Sequence, residues 1–215
     1  YAAKMRALYD GWTIEFGFPA MPFYFSQLAS FGDEACRDIL IMEAQQEFAE
    51  SEKNAGMAVI CDHGNIHDCH PNEKEIVARR LLSFALRRQY GFASVNPDPP
   101  VVTDFRKDGA KVTLTFDARG RFWYQYRADF GVESGIELCG ADGVWHPAVI
   151  ENLVKKEAKA YGSRGIIGAC GRLTVSAKDV ADPKGIRYLR SGDRRATLYA
   201  EESNLPLGPF SHTFR

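Results

Sequence analysis

"GMAVICDHGNIHDCHP", residues 56–71, is a short apolar run that ends abruptly in three histidines, two cysteines and two aspartates. The apolar part, 56–62, has the length of a buried strand and is too short for a free-standing helix. Upstream, "MPFYFSQLA" (21–29) reads as another buried strand, bounded by Pro22 and Gly32. Between them, Asp33 is the expected cap of a helix running to about Glu52, with Ile39, Leu40, Met42 and Phe48 on its apolar stripe. Downstream, "PNEKEIVARRLLSFALRRQYG" (71–91) carries helix signals: Asn72 as N-cap, Glu75 as capping-box partner and Gly91 as the stop. Ile76, Val77, Leu81, Phe84 and Ala85 define its inner face, and Arg79, Arg80, Arg87 and Arg88 its solvated one. Strand, helix, strand, loop, helix implies parallel pairing through right-handed crossovers. Ligands of such folds sit beyond the carboxyl ends of the strands, which is where the histidine-rich segment falls.

After the proline-rich break "ASVNPDPPVV" (93–102) the hydrophobic period changes to two. "KVTLTFD", "GIELCGADGVWHPAVIE", "RLTVSAKDV" and "GIRYLRS", separated by turns such as Lys107-Asp108-Gly109 and Ala141-Asp142-Gly143, predict an antiparallel β-sandwich of about six to eight strands. "ENLVKKEAKAYGSRG" (151–165) reads as helix or loop. The chain is therefore α/β over residues 1–92 and all-β over 97–215.

A length of 215 residues with 45% hydrophobic content is enough for a real core. The net charge of -1 gives no basic footprint for a phosphate backbone, so nucleic acid is not an expected partner. No run reaches the roughly 18 apolar residues of a membrane span, so no membrane partner is expected either. The chain starts at Tyr1 rather than Met, and processing or an upstream portion is an expectation. Five cysteines without a CxxC pair leave one thiol unmatched in a lone chain; Cys139 with Cys170 is the conceivable bridge.

Three readings fit the crowded segment. His63, His67 and His70 are zinc-type ligands, but HxxxHxxH on a Gly/Asn loop is neither HExxH nor paired CxxC knuckles. Asp, Asn and His also bond to backbone around tight turns with no chemistry at all. In the third reading Asp68 and His70, two residues apart, are the acid/base end of a nucleophilic triad, with Asp62 as the second choice of carboxylate. Elsewhere, Phe23, Tyr24 and Phe25 read as core, Gln27 as a polar group near a strand end able to reach a cleft, and Trp123, Tyr124 and Tyr126 as sandwich core or a sugar platform. His146 and His212 are single surface or hydrogen-bonded histidines.

The segments "FPAMPFYFSQLASF", "EAQ" (43–45), "NAGMAVICDHGNIHDCHPNEKEIVARRLLSFAL", "GIRYLRS" and "ATLYAEESNLPLGPF" resemble the sialate O-acetylesterase family, carbohydrate esterases of the SGNH hydrolase class. The resemblance implies the C-terminal part of an SGNH-type three-layer α/β/α hydrolase domain followed by a β-sandwich domain. It implies His70 as the catalytic histidine and Asp68 as its partner, within the D-x-H-P-x-x-K block formed with Pro71 and Lys74. It implies no cofactor, an O-acetylated sugar as substrate, and a secreted, periplasmic or lysosomal location. The family's Gly-x-Ser-Asn block does not occur in these 215 residues, so an N-terminal segment or second chain is expected to bring the serine. The rival expectations are a glycan- or partner-binding module, whose binding survives loss of His70, and a metal-dependent hydrolase.

Overall fold

The computed structural model describes the chain apart from residues 32–36, 65–66, 69, 71, 118–121, 127–133, 156–162, 168–170 and 191–194, together with the side chains of 37–38, 122–126, 153–155 and 163–167. Asp33, Cys36, Cys69, Pro71, Cys170 and the rings of Trp123, Tyr124 and Tyr126 lie outside the described set. Two compact units divide at Asp98/Pro99. The first is mixed α/β and the second, as described, is all-β.

In the first unit the order is α1 (Ala2–Glu15), β1 (Phe23–Ser26), α2 (Arg37–Ser51), β2 (Ala55–Ala58) and α3 (Lys74–Arg88). β1 and β2 pair in parallel, Phe23 opposite Ala55 and Ser26 opposite Ala58. Strand side chains alternate between faces. Phe23 and Phe25 accordingly meet Phe48 of α2, and Phe23 also meets Tyr9 and Trp12 of α1, with ring centroids 5.7–5.9 Å apart. Tyr24 faces the other way and stacks on Phe84 of α3 at 5.5 Å. Phe23, Tyr24 and Phe25 are half-buried rather than fully core.

α1 emerges from a stretch that the sequence analysis left unassigned. Met5 and Tyr9, one turn apart, are its buried residues and pack with Phe48 and Ala55. Gly11 in its interior lowers helix propensity, so packing rather than intrinsic preference holds it. In α2, Ile39, Met42 and Phe48 are buried, but Leu40 points outward. α3 is capped by Glu73, not Asn72, and without a side-chain cap bond. Glu75 pairs with Arg79 one turn on. The Tyr90 N–H reaches Ala85 O and the Phe92 N–H reaches Leu86 O around Gly91, whose φ of +73° is the left-handed conformation that ends the helix.

The second unit holds β3 (Val102–Asp108), β4 (Lys111–Phe116), β5 (Phe122–Tyr126), β6 (Ile136–Cys139), β7 (Trp145–Pro147), β8 (Val149–Ile150), β9 (Leu153–Lys155), β10 (Ser163–Ile167), β11 (Arg172–Ser176), β12 (Gly185–Tyr188), β13 (Leu198–Ala200) and β14 (Phe210–Thr213). They form four-stranded antiparallel sheets ordered β3-β4-β11-β8, β14-β12-β6-β7 and β13-β5-β10-β9. Twelve strands exceed the expected six to eight, because β9 and β10 occupy the stretch read as helix or loop and because short edge strands carry little alternation. Val112, Leu114, Leu173, Val175, Ile186 and Tyr188 alternate inward. The Tyr188 hydroxyl accepts the N–H groups of Thr197 at 2.9 Å and Leu198 at 3.2 Å, tying β12 to β13. Cys139 is a buried free thiol, and Cys170, its expected bridge partner, lies outside the described residues. Among the described residues no helix is long and apolar enough to cross a membrane.

Candidate functional site

Two buried glutamines fasten the carboxyl ends of β1 and β2. Gln45, on the inner side of α2, accepts the Leu28 N–H through Oε1 at 2.8 Å, and its Nε2 lies 3.4 Å from Ser26 O. The Gln27 N–H donates to Ala58 O at 2.9 Å, and Gln27 Oε1 lies 3.4 Å from the Ile60 nitrogen. Gln27 is 2% exposed, and its Nε2 has no hydrogen-bond partner among the described residues. It is a brace between strand ends that still holds one unmet donor.

The chain leaves β2 through buried Val59, Ile60 and Cys61, then turns where the His63 N–H meets Ile60 O at 3.0 Å. Burial pushes the Cys61 thiol well above its usual range. Asp62 is held by a fork from α3: Arg80 Nη1 donates to Oδ1 at 2.6 Å and Nη2 to Oδ2 at 2.7 Å, while Nη1 also reaches Val59 O at 2.6 Å. The two side chains are 12% and 5% exposed, a bidentate pair withdrawn from water. Burial alone would raise the Asp62 carboxyl, but the bonds from Arg80 and His63 outweigh it and hold it below the ordinary value.

His63 stands beside this pair, with Nε2 3.4 Å from Asp62 Oδ2 and Nδ1 2.8 Å from Glu73 Oε2 at the start of α3. The adjacent Asp62 carboxylate raises the His63 pKa against the opposing effect of burial, with Glu73 adding to it. Further along, Asp68 and His70 are both exposed. Asp68 Oδ1 accepts the backbone N–H of His70 at 2.8 Å, an Asx turn that fixes the two residues locally. The Asp62 carboxylate is engaged with Arg80 and His63. Among the described residues, no group of three or more His, Cys, Asp or Glu side chains is placed to hold a metal ion.

Arg80 overturns its reading as a solvated residue, and so does Arg88, whose Nη1 donates to Ala55 O. The signal was in the spacing. Val77, Arg80, Phe84 and Arg88 recur at three or four residues, on the face that meets the sheet. Glu73 was also missed, because its partner His63 lies ten residues away across the loop. His146 in the second unit lies 4.0 Å from Asp179, and His212 stacks on Phe105 at 4.5 Å.

The arrangement is that of a mixed α/β hydrolase-like scaffold: a parallel strand pair with helices on both faces, and a polar loop directly beyond the carboxyl end of one strand. Among solved structures the chain is similar to a carbohydrate acetylesterase from Xanthomonas citri, at 30% identity and a TM-score of 0.74. The match covers 95% of this chain and 44% of that one, so the chain spans less than half the length of the neighbour. No protein-family model and no curated protein sequence matches the chain.

Proposed function

We propose that this chain is the histidine-bearing part of a serine-type carbohydrate O-acetylesterase, acting on acetylated sugars with sialic acids as the first candidates. The observation that carries the reading is the likeness to a carbohydrate acetylesterase over 95% of the chain; Asp68 and His70 stand on the segment between β2 and α3. The finer fold assignment, an SGNH-type α/β/α layer followed by a β-sandwich, belongs to the same proposal, as does a secreted, periplasmic or lysosomal location. The serine, and the donors that receive the oxyanion, come from a polypeptide segment outside these 215 residues.

In the mechanism the serine Oγ attacks the acetyl carbonyl while the His70 imidazole takes the hydroxyl proton. The same proton passes to the sugar oxygen as the ester bond breaks, leaving an acetyl-serine. Water, deprotonated by His70, then releases acetate. Asp68 orients the imidazole. With Oδ1 holding the His70 N–H, Oδ2 is the oxygen that would meet the ring N–H. Anchoring to the same residue's backbone favours one ring orientation, which a general base needs.

The test is acetate release from an O-acetylated sugar by the protein together with its serine-bearing segment. His70→Ala removes turnover by about three powers of ten or more without moving the unfolding curve. Asp68→Asn costs less than His70→Ala, and retention of full activity in His70→Ala ends the proposal. Intact mass of the undigested protein under denaturing conditions asks whether a second polypeptide accompanies the chain.

A further inference from the structure

His63 is a further imidazole of the loop, and both of its ring nitrogens lie near carboxylate oxygens, Asp62 Oδ2 at 3.4 Å on one side and Glu73 Oε2 at 2.8 Å on the other. A neutral imidazole has one N–H and one lone pair, so one of these contacts would set a lone pair against a carboxylate. The imidazolium satisfies both. Asp62 cannot turn away, because Arg80 grips both of its oxygens. Glu73 is the N-cap residue of α3 and Asp62 follows β2, so His63 ties together the two ends of the segment that carries Asp68 and His70.

We propose that His63 is a positioning residue: its imidazolium clamps the end of β2 to the start of α3 and so fixes the intervening loop on which Asp68 and His70 stand. The clamp itself is independent of the esterase reading, and only its catalytic consequence rests on that reading. The charged groups facing His63 are Asp62 from the strand end and Glu73 and Arg80 from α3. Arg80 opposes the imidazolium, but its charge is matched by Asp62. The raised pKa of His63 agrees with the two-carboxylate geometry. The clamp is closed while His63 is protonated and opens as pH rises through its midpoint.

The test is NMR on the full chain, titrating the imidazoles and following backbone amide relaxation at His67, Asp68 and His70 in wild type, His63→Gln, Glu73→Ala and Glu75→Ala. The His63 midpoint is expected above the ordinary value of about 6.5, to fall by about one pH unit in Glu73→Ala and to stay within a few tenths of a unit in Glu75→Ala. The Glu75 variant controls for loss of a helix N-terminal charge, since Glu75 pairs with Arg79 instead. Loop amides should lose order in wild type as pH crosses that midpoint, and in His63→Gln be less ordered than wild type below it and alike above it. An equal midpoint in wild type and Glu73→Ala, or identical amide relaxation in wild type and His63→Gln across the range, overturns the clamp.

A second arm reads acetate release with the serine-bearing segment present. His63→Gln is expected to lower kcat about five- to tenfold with KM little changed, and to remove a falling alkaline limb from the kcat profile. If His70→Ala abolishes turnover while His63→Gln leaves kcat and its pH profile unchanged, the positioning role is overturned. If the amide data come out as expected but turnover ignores both substitutions, the clamp stands and the esterase reading fails.

Discussion

Among the described residues, the arginine–carboxylate pairs most withdrawn from water in the two units are built differently. In the β unit, Glu137 and Arg187 face each other directly across β6 and β12, joined by one bond, Arg187 Nε to Glu137 Oε2 at 2.7 Å. Arg187 also lies over the Trp145 ring at 4.3 Å, so its stem is packed as well as paired. Such a cross-strand pair fixes register and nothing more. In the α/β unit, Arg80 crosses from a helix to a loop, donates twice to Asp62 and once to Val59 O, and shares its carboxylate with a histidine. The first pair stabilises regular structure. The second shapes a segment that has none of its own and that carries the candidate catalytic histidine.

The comparison breaks most visibly at Arg80. Arg80→Met leaves a nearly buried carboxylate without its fork, at a cost of about 3–5 kcal/mol. That should appear as early unfolding of the amides of residues 1–98 in denaturant. Arg80→Met with Asp62→Asn should recover part of the loss, since an uncharged amide needs less compensation. If Arg80→Met is no more damaging than Arg187→Met, the distinction between the two pairs fails.

Two glycines sharpen the contrast at lower energy. A Cβ on Gly56 would sit 2.5 Å from the Phe84 ring, and one on Gly185 would sit 2.8 Å from the tip of the Trp145 indole. Phe84 is 1% exposed and held between Tyr24 and the β2 backbone, whereas Trp145 is half-buried and meets the new Cβ with the far end of its indole. Gly56→Ala should therefore cost about 1–3 kcal/mol as an overpacked site, and Gly185→Ala less than about 1 kcal/mol. Thermal unfolding of the two variants measures the difference, and equal losses would mean that Phe84 yields as easily as Trp145. Arg187→Met falls in between, at about 1–2 kcal/mol, combining a lost charged hydrogen bond with a lost ring contact.

The parts of this architecture that the sequence reveals are those whose physics is local. "MPFYFSQLA" and "GMAVICD" declare strands because nothing longer fits between their polar boundaries, and their parallel pairing follows from the helix between them; the paired parts are the shorter Phe23–Ser26 and Ala55–Ala58. The Asp68–His70 spacing is visible for the same reason. β9 and β10 escape because their charged residues hide any alternation in the sequence, and their pairing, β9 with β10 and β10 with β5, is non-local. Arg80 and Arg88 were misread because charge was weighed before periodicity; their positions one turn from Val77 and Phe84 already put them against the sheet. The His63–Glu73 contact had no local signature, since only the fold brings position 73 back to position 63.

The smallest expected effect separates the two pairs by pH. The His63 pKa is raised in the folded chain, so its contribution to stability is complete below the unfolded value of about 6.5 and is lost as pH rises through the folded value. Asp62 is shifted the opposite way, so its contribution is present above about 3.8 and is lost as pH falls through its depressed folded value. Both terms are in force together between those limits, and the α/β unit should be most stable in mildly acidic solution. The alkaline loss is below about 1 kcal/mol, because Glu73 is mostly exposed and water screens that half of the bridge. Urea unfolding of wild type and His63→Gln from pH 5 to pH 9 measures it on the amides of residues 1–98. The two curves should differ at the acidic end and converge at the alkaline end, since His63 loses there what glutamine never had. Curves that run parallel over the whole range would remove the imidazolium from the account and leave Arg80 as the sole support of the loop.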